Sequence, residues 1–224
     1  MSYTTIADAR IIRGMQSQLA MRRQLISAGA KHLGWKAGFG SRAAMERLGT
    51  SSPLFGFMLD RNLVEAGAAV SLAGWKRPVL EAEIAVYLGA DASIAALGPA
   101  IELADLDPAT AGVEEILAGD IFHRHVLLGD RHPGTSVDEI EATIFRDGAE
   151  IARTTDPAQL TGGITFILEA LAEILAANGE ALRTGDVVIT GSVVPPIDVA
   201  PGQTLLAKLG PLGNIEVRFQ EVGG

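Results

Sequence analysis

The stretch Pro78-Val79-Leu80-Glu81-Ala82-Glu83-Ile84-Ala85-Val86-Tyr87-Leu88 limits the folds open to this chain more than any other. It is aliphatic, entered through a proline and left through Gly89, so it reads as a strand. Side chains alternate faces along a strand. Leu80, Ala82, Ile84, Val86 and Leu88 therefore share one face, and Val79, Glu81, Glu83, Ala85 and Tyr87 share the other. Both faces are largely apolar, so neither reads as a plain solvent face. Two carboxylates nevertheless stand side by side on the second, about 7 Å apart along the strand. Like charges on a half-buried surface are costly unless something positive neutralises them, and a divalent cation does this well. The competing reading is an acidic patch on an exposed edge strand.

The 224 residues fit one catalytic domain, 1–224, with an N-terminal helical segment over 1–30 and a β-rich core over 31–224. A chain of this length can bury roughly 70% of the surface its unfolded form exposes. Its 48% hydrophobic content supplies the core. A net charge of -9 argues against a nucleic-acid surface, though not against a local basic pocket for a small anion. There is no cysteine, which excludes disulfides, thiol nucleophiles and Cys-ligated zinc. The N-terminus has no apolar leader, and no apolar run reaches the ~18 residues of a spanning helix. A cytoplasmic protein without membrane or nucleic-acid partners is expected.

Taken in order, Ile12, Met15, Leu19 and Ile26 recur at helical spacing among arginines, weakened by Gly14 and stopped by Gly29. In His32-Leu33-Gly34-Trp35-Lys36-Ala37-Gly38-Phe39, Leu33, Trp35, Ala37 and Phe39 form one strand face, and Lys36 sits between two glycines on the other. That leaves space for a ligand above the sheet, although an exposed Lys is the commoner outcome. Ser41 caps a short helix that Gly49 ends. The apolar run Leu54–Leu59 closes on Asp60, either a turn residue or an acid aimed at a site. A short strand over Ala69–Leu72 follows.

Glu102 lies inside an apolar run, unusual for an unpaired carboxylate. Asp105 and Asp107 read as solvated or turn acids. Asp120 to Gly129 reads as a strand that puts His123 and His125 on one face; alone, an H-x-H pair is a weak metal signal. Ile140 to Ile151 is a hairpin around Asp147-Gly148. Ile164 to Ala177 is a core helix ended by Asn178-Gly179. Val187–Thr190 and Ile215–Phe219 close the chain as strands, with a Pro-rich loop between. Many strands with few helices give an α+β fold on a mixed, strongly curved sheet.

Four stretches now fit one family in order and spacing: Gly34-Trp35-Lys36-Ala37-Gly38, Pro78-Val79-Leu80-Glu81-Ala82-Glu83, Pro99-Ala100-Ile101-Glu102 and Gly185-Asp186-Val187-Val188-Ile189-Thr190-Gly191-Ser192. From about Gly34 to Phe219 the chain resembles the fumarylacetoacetate hydrolase superfamily, in particular its 2-oxopent-4-enoate hydratase and 4-oxalocrotonate decarboxylase branch. The resemblance implies curved mixed sheets rolled around a metal site. It implies Glu81, Glu83 and Glu102 as ligands of Mg2+ or Mn2+, consistent with the preference of hard cations for oxygen. It implies Lys36 as the active-site lysine, Asp60 as an acid near it, and Thr190, Gly191 and Ser192 as the loop that binds the substrate carboxylate. A homo-oligomer, a dimer or larger, is expected on the same ground.

One departure bears on substrate. Where the hydratases generally carry Asn-Ala-Ser, this chain has Asp120-Ile121-Phe122-His123, which makes His123 a candidate acid or base. The reaction implied is metal-dependent hydration of a small 2-hydroxydienoate or 2-oxo-4-enoate. Decarboxylation of a 2-oxo diacid and hydrolysis of an acylpyruvate are alternatives on the same site. Hydrolysis ranks lower, because none of the four histidines has a glutamate three residues later. A non-catalytic binder of metal and organic acid is the reading from a different class.

Overall fold

The computed structural model describes residues 8–221 except 66, 110, 138 and 139. Residues 1–7 of the expected helical segment thus lie outside the described residues. The chain begins with α1 (Ala9–Ser27), β1 (His32–Gly38), α2 (Arg42–Leu48), β2 (Leu54–Leu59), β3 (Ala69–Val70) and β4 (Pro78–Leu88). It continues with β5 (Ile94–Asp105), α3 (Val113–Ala118), β6 (His123–Leu128), β7 (Ala142–Arg146) and β8 (Ala149–Thr154). The last part is α4 (Ala158–Thr161), α5 (Ile164–Ala177), β9 (Val187–Ile189), β10 (Ile197–Asp198), β11 (Thr204–Lys208) and β12 (Asn214–Phe219).

A seven-stranded sheet runs β2-β1-β9-β4-β5-β6, with β10 also paired to β4. A five-stranded sheet runs β3-β12-β11-β7-β8. Each is mixed: β1 and β9 are parallel in the first, β12 and β3 in the second, and the other pairs are antiparallel.

β4 lies inside the larger sheet, and its two faces meet different surroundings, as the alternation requires. Leu80, Ala82, Ile84, Val86 and Leu88 join the main core, while Ala85 and Tyr87 join a smaller cluster with Met58, Ala100 and Val126. β4 and β5 pair along their length in a register that sets Glu81 opposite Glu102. Residues directly opposite in an antiparallel pair share a face and stand about 5 Å apart. That one register brings a carboxylate from a separate strand to the two already on β4.

Several elements differ from the sequence expectation. In α1 the core face is Ile11, Met15 and Leu19, while Ile12 is 39% exposed. A register shift between His32 and Gly34 turns Leu33 to the smaller cluster and leaves Trp35 and Ala37 in the main core. A Cβ on Gly34 would lie 1.9 Å from the Val187 carbonyl oxygen, so this glycine lets β9 pair closely. The strand expected from Asp120 begins only at His123. Asp105 is buried rather than solvated, accepting from the amides of Lys76 and Arg77 and from Arg124. Ala158–Ala177 is long and apolar enough to meet the criteria for a spanning helix, with a mean hydropathy of 1.6. It is broken at Gly162 and Gly163, and Ile167, Leu171, Ile174 and Leu175 pack into the main core.

Candidate metal centre and active-site cavity

Oxygens of Glu81, Glu83 and Glu102 lie within 4.8 Å of one another. Glu83 and Glu102 are buried, and Glu81 is half-buried where it faces a cavity. Glu83 Oε2 accepts from the Gly191 amide at 2.8 Å, and its Oε1 has no protein partner. Glu102 Oε1 meets both the Lys36 ammonium and His123 Nδ1, the latter at 2.7 Å, while Oε2 is buried without a partner. A buried oxygen with no donor is costly. Two of them in one carboxylate cluster mark a place for a cation. The donors are all oxygen, which suits a hard divalent ion. His123 and His125 do not extend the group among the described residues: His125 instead stacks on Trp75, with ring centroids 5.8 Å apart.

Burial raises the Glu81 carboxyl, and the charge of Glu102 adds to it; Lys36 opposes both, leaving it at about 7. Burial and the two neighbouring carboxylates push Glu83 well above the usual range. Burial also pushes Glu102 upward, but Lys36 and His123 outweigh it and hold that carboxyl low. Burial disfavours the Lys36 charge, yet Glu102 and Glu81 more than compensate and keep the ammonium protonated. Burial lowers His123 against the pull of Glu102, which favours a neutral ring.

Lys36 projects from β1 opposite Gly56 of β2. A Cβ on Gly56 would lie 2.7 Å from Asp120 Oδ1 and 3.0 Å from Lys36 Cγ, so only glycine leaves room for both side chains. The cavity has a volume of about 890 Å³. Lys36, Glu81, Gly191 and Ser192 line it together with an apolar wall that includes Val79, Leu106, Ile116, Phe122 and Val194. Ser192 Oγ is buried there without a partner.

Two expected site residues stand elsewhere. Asp60 is exposed and accepts the amides of Lys31 and Arg61 at 2.8 and 2.9 Å, so it tethers a turn and does not accompany Lys36. Thr190 Oγ1 accepts from the Ile84 amide and donates to the Gly191 carbonyl, which ties the loop to β4. The Gly191 amide is itself committed to Glu83. Apart from the three glutamates, an acid that does neighbour Lys36 is Asp120, buried, with Oδ1 accepting the Phe57 amide at 2.8 Å. Burial drives its carboxyl well upward against the Lys36 charge. Read as the first residue of a strand, Asp120 carried no sign of this; the one available signal was the departure at Asp120–His123 from the family pattern.

A buried oxygen site for a divalent ion, at the end of a cavity holding a lysine, defines a class of metal-dependent enzymes. No family model matches the chain. It is 28% identical over 204 residues to a 4-oxalocrotonate decarboxylase of Pseudomonas sp, spanning 85% of this chain and 79% of that protein. It is 28% identical over 246 residues to a 2-hydroxyhexa-2,4-dienoate hydratase of Comamonas testosteroni, spanning 97% and 87%. Among solved structures it is similar to 4-oxalocrotonate decarboxylase from Pseudomonas putida G7 complexed with magnesium and adipate. That match has a TM-score of 0.85 and 24% identity, and covers 90% of this chain and 83% of that one. Sequence likeness to a 4-oxalocrotonate decarboxylase and a dienoate hydratase therefore extends over most of the chain, and the solved structures share its α+β fold.

Proposed function

We propose that the protein is a divalent-metal-dependent hydro-lyase using Mg2+ or Mn2+. Its reaction is the addition of water to a small 2-hydroxydienoate or its 2-oxo-4-enoate tautomer, such as 2-oxopent-4-enoate. The observation that carries this reading is the pair of buried, unpartnered oxygens on Glu83 and Glu102 beside Glu81. These three carboxylates would hold the ion. When bound, the cation supplies Lewis acidity at the C2 oxygen of a 2-oxo acid.

The chain's own residues supply the rest. Three carboxylates and a divalent ion leave one negative charge, which the Lys36 ammonium offsets. Lys36 thereby favours an anionic substrate and the negative charge that develops during its enolisation. Ser192 Oγ lines the cavity without a partner and is free to donate to the substrate carboxylate. The Gly191 amide holds Glu83 in place rather than the substrate. A neutral His123 that donates from Nδ1 to Glu102 presents Nε2 as an acceptor, and Nε2 is buried without a partner. The His123 ring is 1% exposed and is not among the residues that line the cavity, so its part is to hold Glu102 rather than to exchange a proton with water or substrate.

Decarboxylation of a 2-oxo diacid is the second reading. It is favoured by the decarboxylase likenesses and by two cations on the cavity wall, Arg47 and Arg77. Arg77 lies 3.9 Å from Asp198, which offsets part of its charge. The experiment is incubation of the Mg2+-loaded protein with 2-oxopent-4-enoate and, separately, with 4-oxalocrotonate. Loss of the dienoate absorbance without CO2 supports hydration; CO2 from the diacid alone transfers the assignment to decarboxylation. A protein inert toward both overturns the reading. The same proposal includes one catalytic domain over 1–224, a cytoplasmic location and a homo-oligomer, the last tested by light scattering.

A further inference from the structure

The segment between α3 and β6 has the longest run of left-handed backbone among the described residues. Asp120, Ile121 and Phe122 all have left-handed backbones, with φ of 55°, 51° and 61°. Such a conformation is unfavourable for L-residues, less so for an Asp but markedly for a β-branched residue such as Ile121. Three in succession persist only where surrounding contacts impose them. Two contacts do so here. Asp120 Oδ1 accepts the Phe57 amide on β2 at 2.8 Å. Ile121 is buried in the main core, and its carbonyl accepts from Lys36 Nζ at 3.0 Å.

We propose that this run is a positioning device for Lys36, with Asp120 as the residue that anchors it. Asp120 ties the run to β2, and the run in turn aims the Ile121 carbonyl at the ammonium. Lys36 is thereby shared between that carbonyl and Glu102 Oε1. Without the anchor the backbone relaxes toward ordinary φ values and the carbonyl withdraws. Lys36 is then left to Glu102 alone, where it competes with a cation for the carboxylate. Gly56 belongs to the same device, because it leaves the gap in which Asp120 Oδ1 and the Lys36 stem lie side by side. Asp120 acts through Lys36 and touches no reacting atom.

The inference rests on the proposed active-site role of Lys36, so its test needs a reading independent of turnover. Asp120→Asn keeps an acceptor for the Phe57 amide; Asp120→Ala does not. The experiment compares both with the unaltered protein by steady-state kinetics and by Mn2+ titration followed by electron paramagnetic resonance. A misplacement of about 1 Å in a catalytic group can cost on the order of 100-fold. Asp120→Ala is therefore expected to lower kcat about 30- to 100-fold with KM within about threefold, and to weaken Mn2+ about tenfold. Asp120→Asn is expected to retain at least about a third of kcat and of the Mn2+ affinity. An Asn variant as impaired as the Ala variant, or an Ala variant matching the unaltered protein in Mn2+ affinity, overturns the proposal. Should Asp120→Ala not fold, Gly56→Ala, whose Cβ pushes Asp120 and Lys36 apart, is judged against the unaltered protein by the same two readings. If no substrate is turned over at all, the functional reading fails, while the Mn2+ comparison still decides the anchor.

Discussion

Lys36 and the glutamates have separable jobs. Lys36→Met removes the ammonium that offsets the site's negative charge and leaves three carboxylates free to bind a cation. Turnover should fall at least about 100-fold, as when a preorganised electrostatic group is lost. Mn2+ affinity should stay equal or rise, because a competing cation is gone; activity that survives intact would show that Lys36 has no catalytic part. Glu83→Gln should weaken Mn2+ binding by about tenfold or more, measured by the same titration. The sequence made these residues legible because a charge inside an apolar run is rare whatever the fold. It misplaced Asp60 and passed over Asp120 for a related reason. Each ends or begins an apolar run, and nothing local says whether such an acid faces the site or a backbone amide. Only the structure shows Asp60 tethering the turn at Lys31 and Asp120 tethering β2.

Among the elements, β4, β12 and α5 were readable because their apolar residues repeat at periods of two or about 3.6 over several turns or pairs. β10 and β11 were not, since two residues in a Pro-rich loop and five after Pro201-Gly202 give too short a pattern. Leu33 was assigned to the wrong face because a register shift is invisible to alternation. The α5 stripe was read as packing, not as part of a site, and that makes a test. Leu171 is fully buried in the main core and is not among the residues that line the cavity. Leu171→Ala should destabilise the protein by about 2–5 kcal/mol, lowering the melting temperature by several degrees. The folded fraction should keep its Mn2+ affinity; a loss would mean that α5 supports the metal centre.

For the molecule as a whole, the carboxylate cluster sets how stability depends on pH and metal. The Glu81 carboxyl rises from 4.5 to about 7 on folding, and Glu83 moves further the same way. The folded state therefore holds these protons more tightly than the unfolded chain. Stability from Glu81 is fully present below pH 4.5 and is lost as pH rises through about 7. The loss is on the order of 3 kcal/mol. Glu102 is lowered on folding, so its contribution runs oppositely, present above its unfolded value and lost as pH falls through its folded one. Asp120 moves upward like Glu81 and Glu83, whereas His123 and His125 are lowered and act oppositely below pH 6.5. With three raised carboxyls against two imidazoles, the melting temperature without added metal should fall between about pH 5 and pH 8. A divalent cation binds the ionised cluster and must displace those protons, so its affinity should rise over the same interval. At a Mg2+ concentration about 100 times its dissociation constant the ion stabilises by about 2.7 kcal/mol. The slope seen without metal should therefore flatten or reverse in excess Mg2+, as read by melting curves at several pH values with and without the ion. Parallel curves displaced by a constant amount would mean that the cation binds away from Glu81 and Glu83, and the metal centre would have to be sought elsewhere.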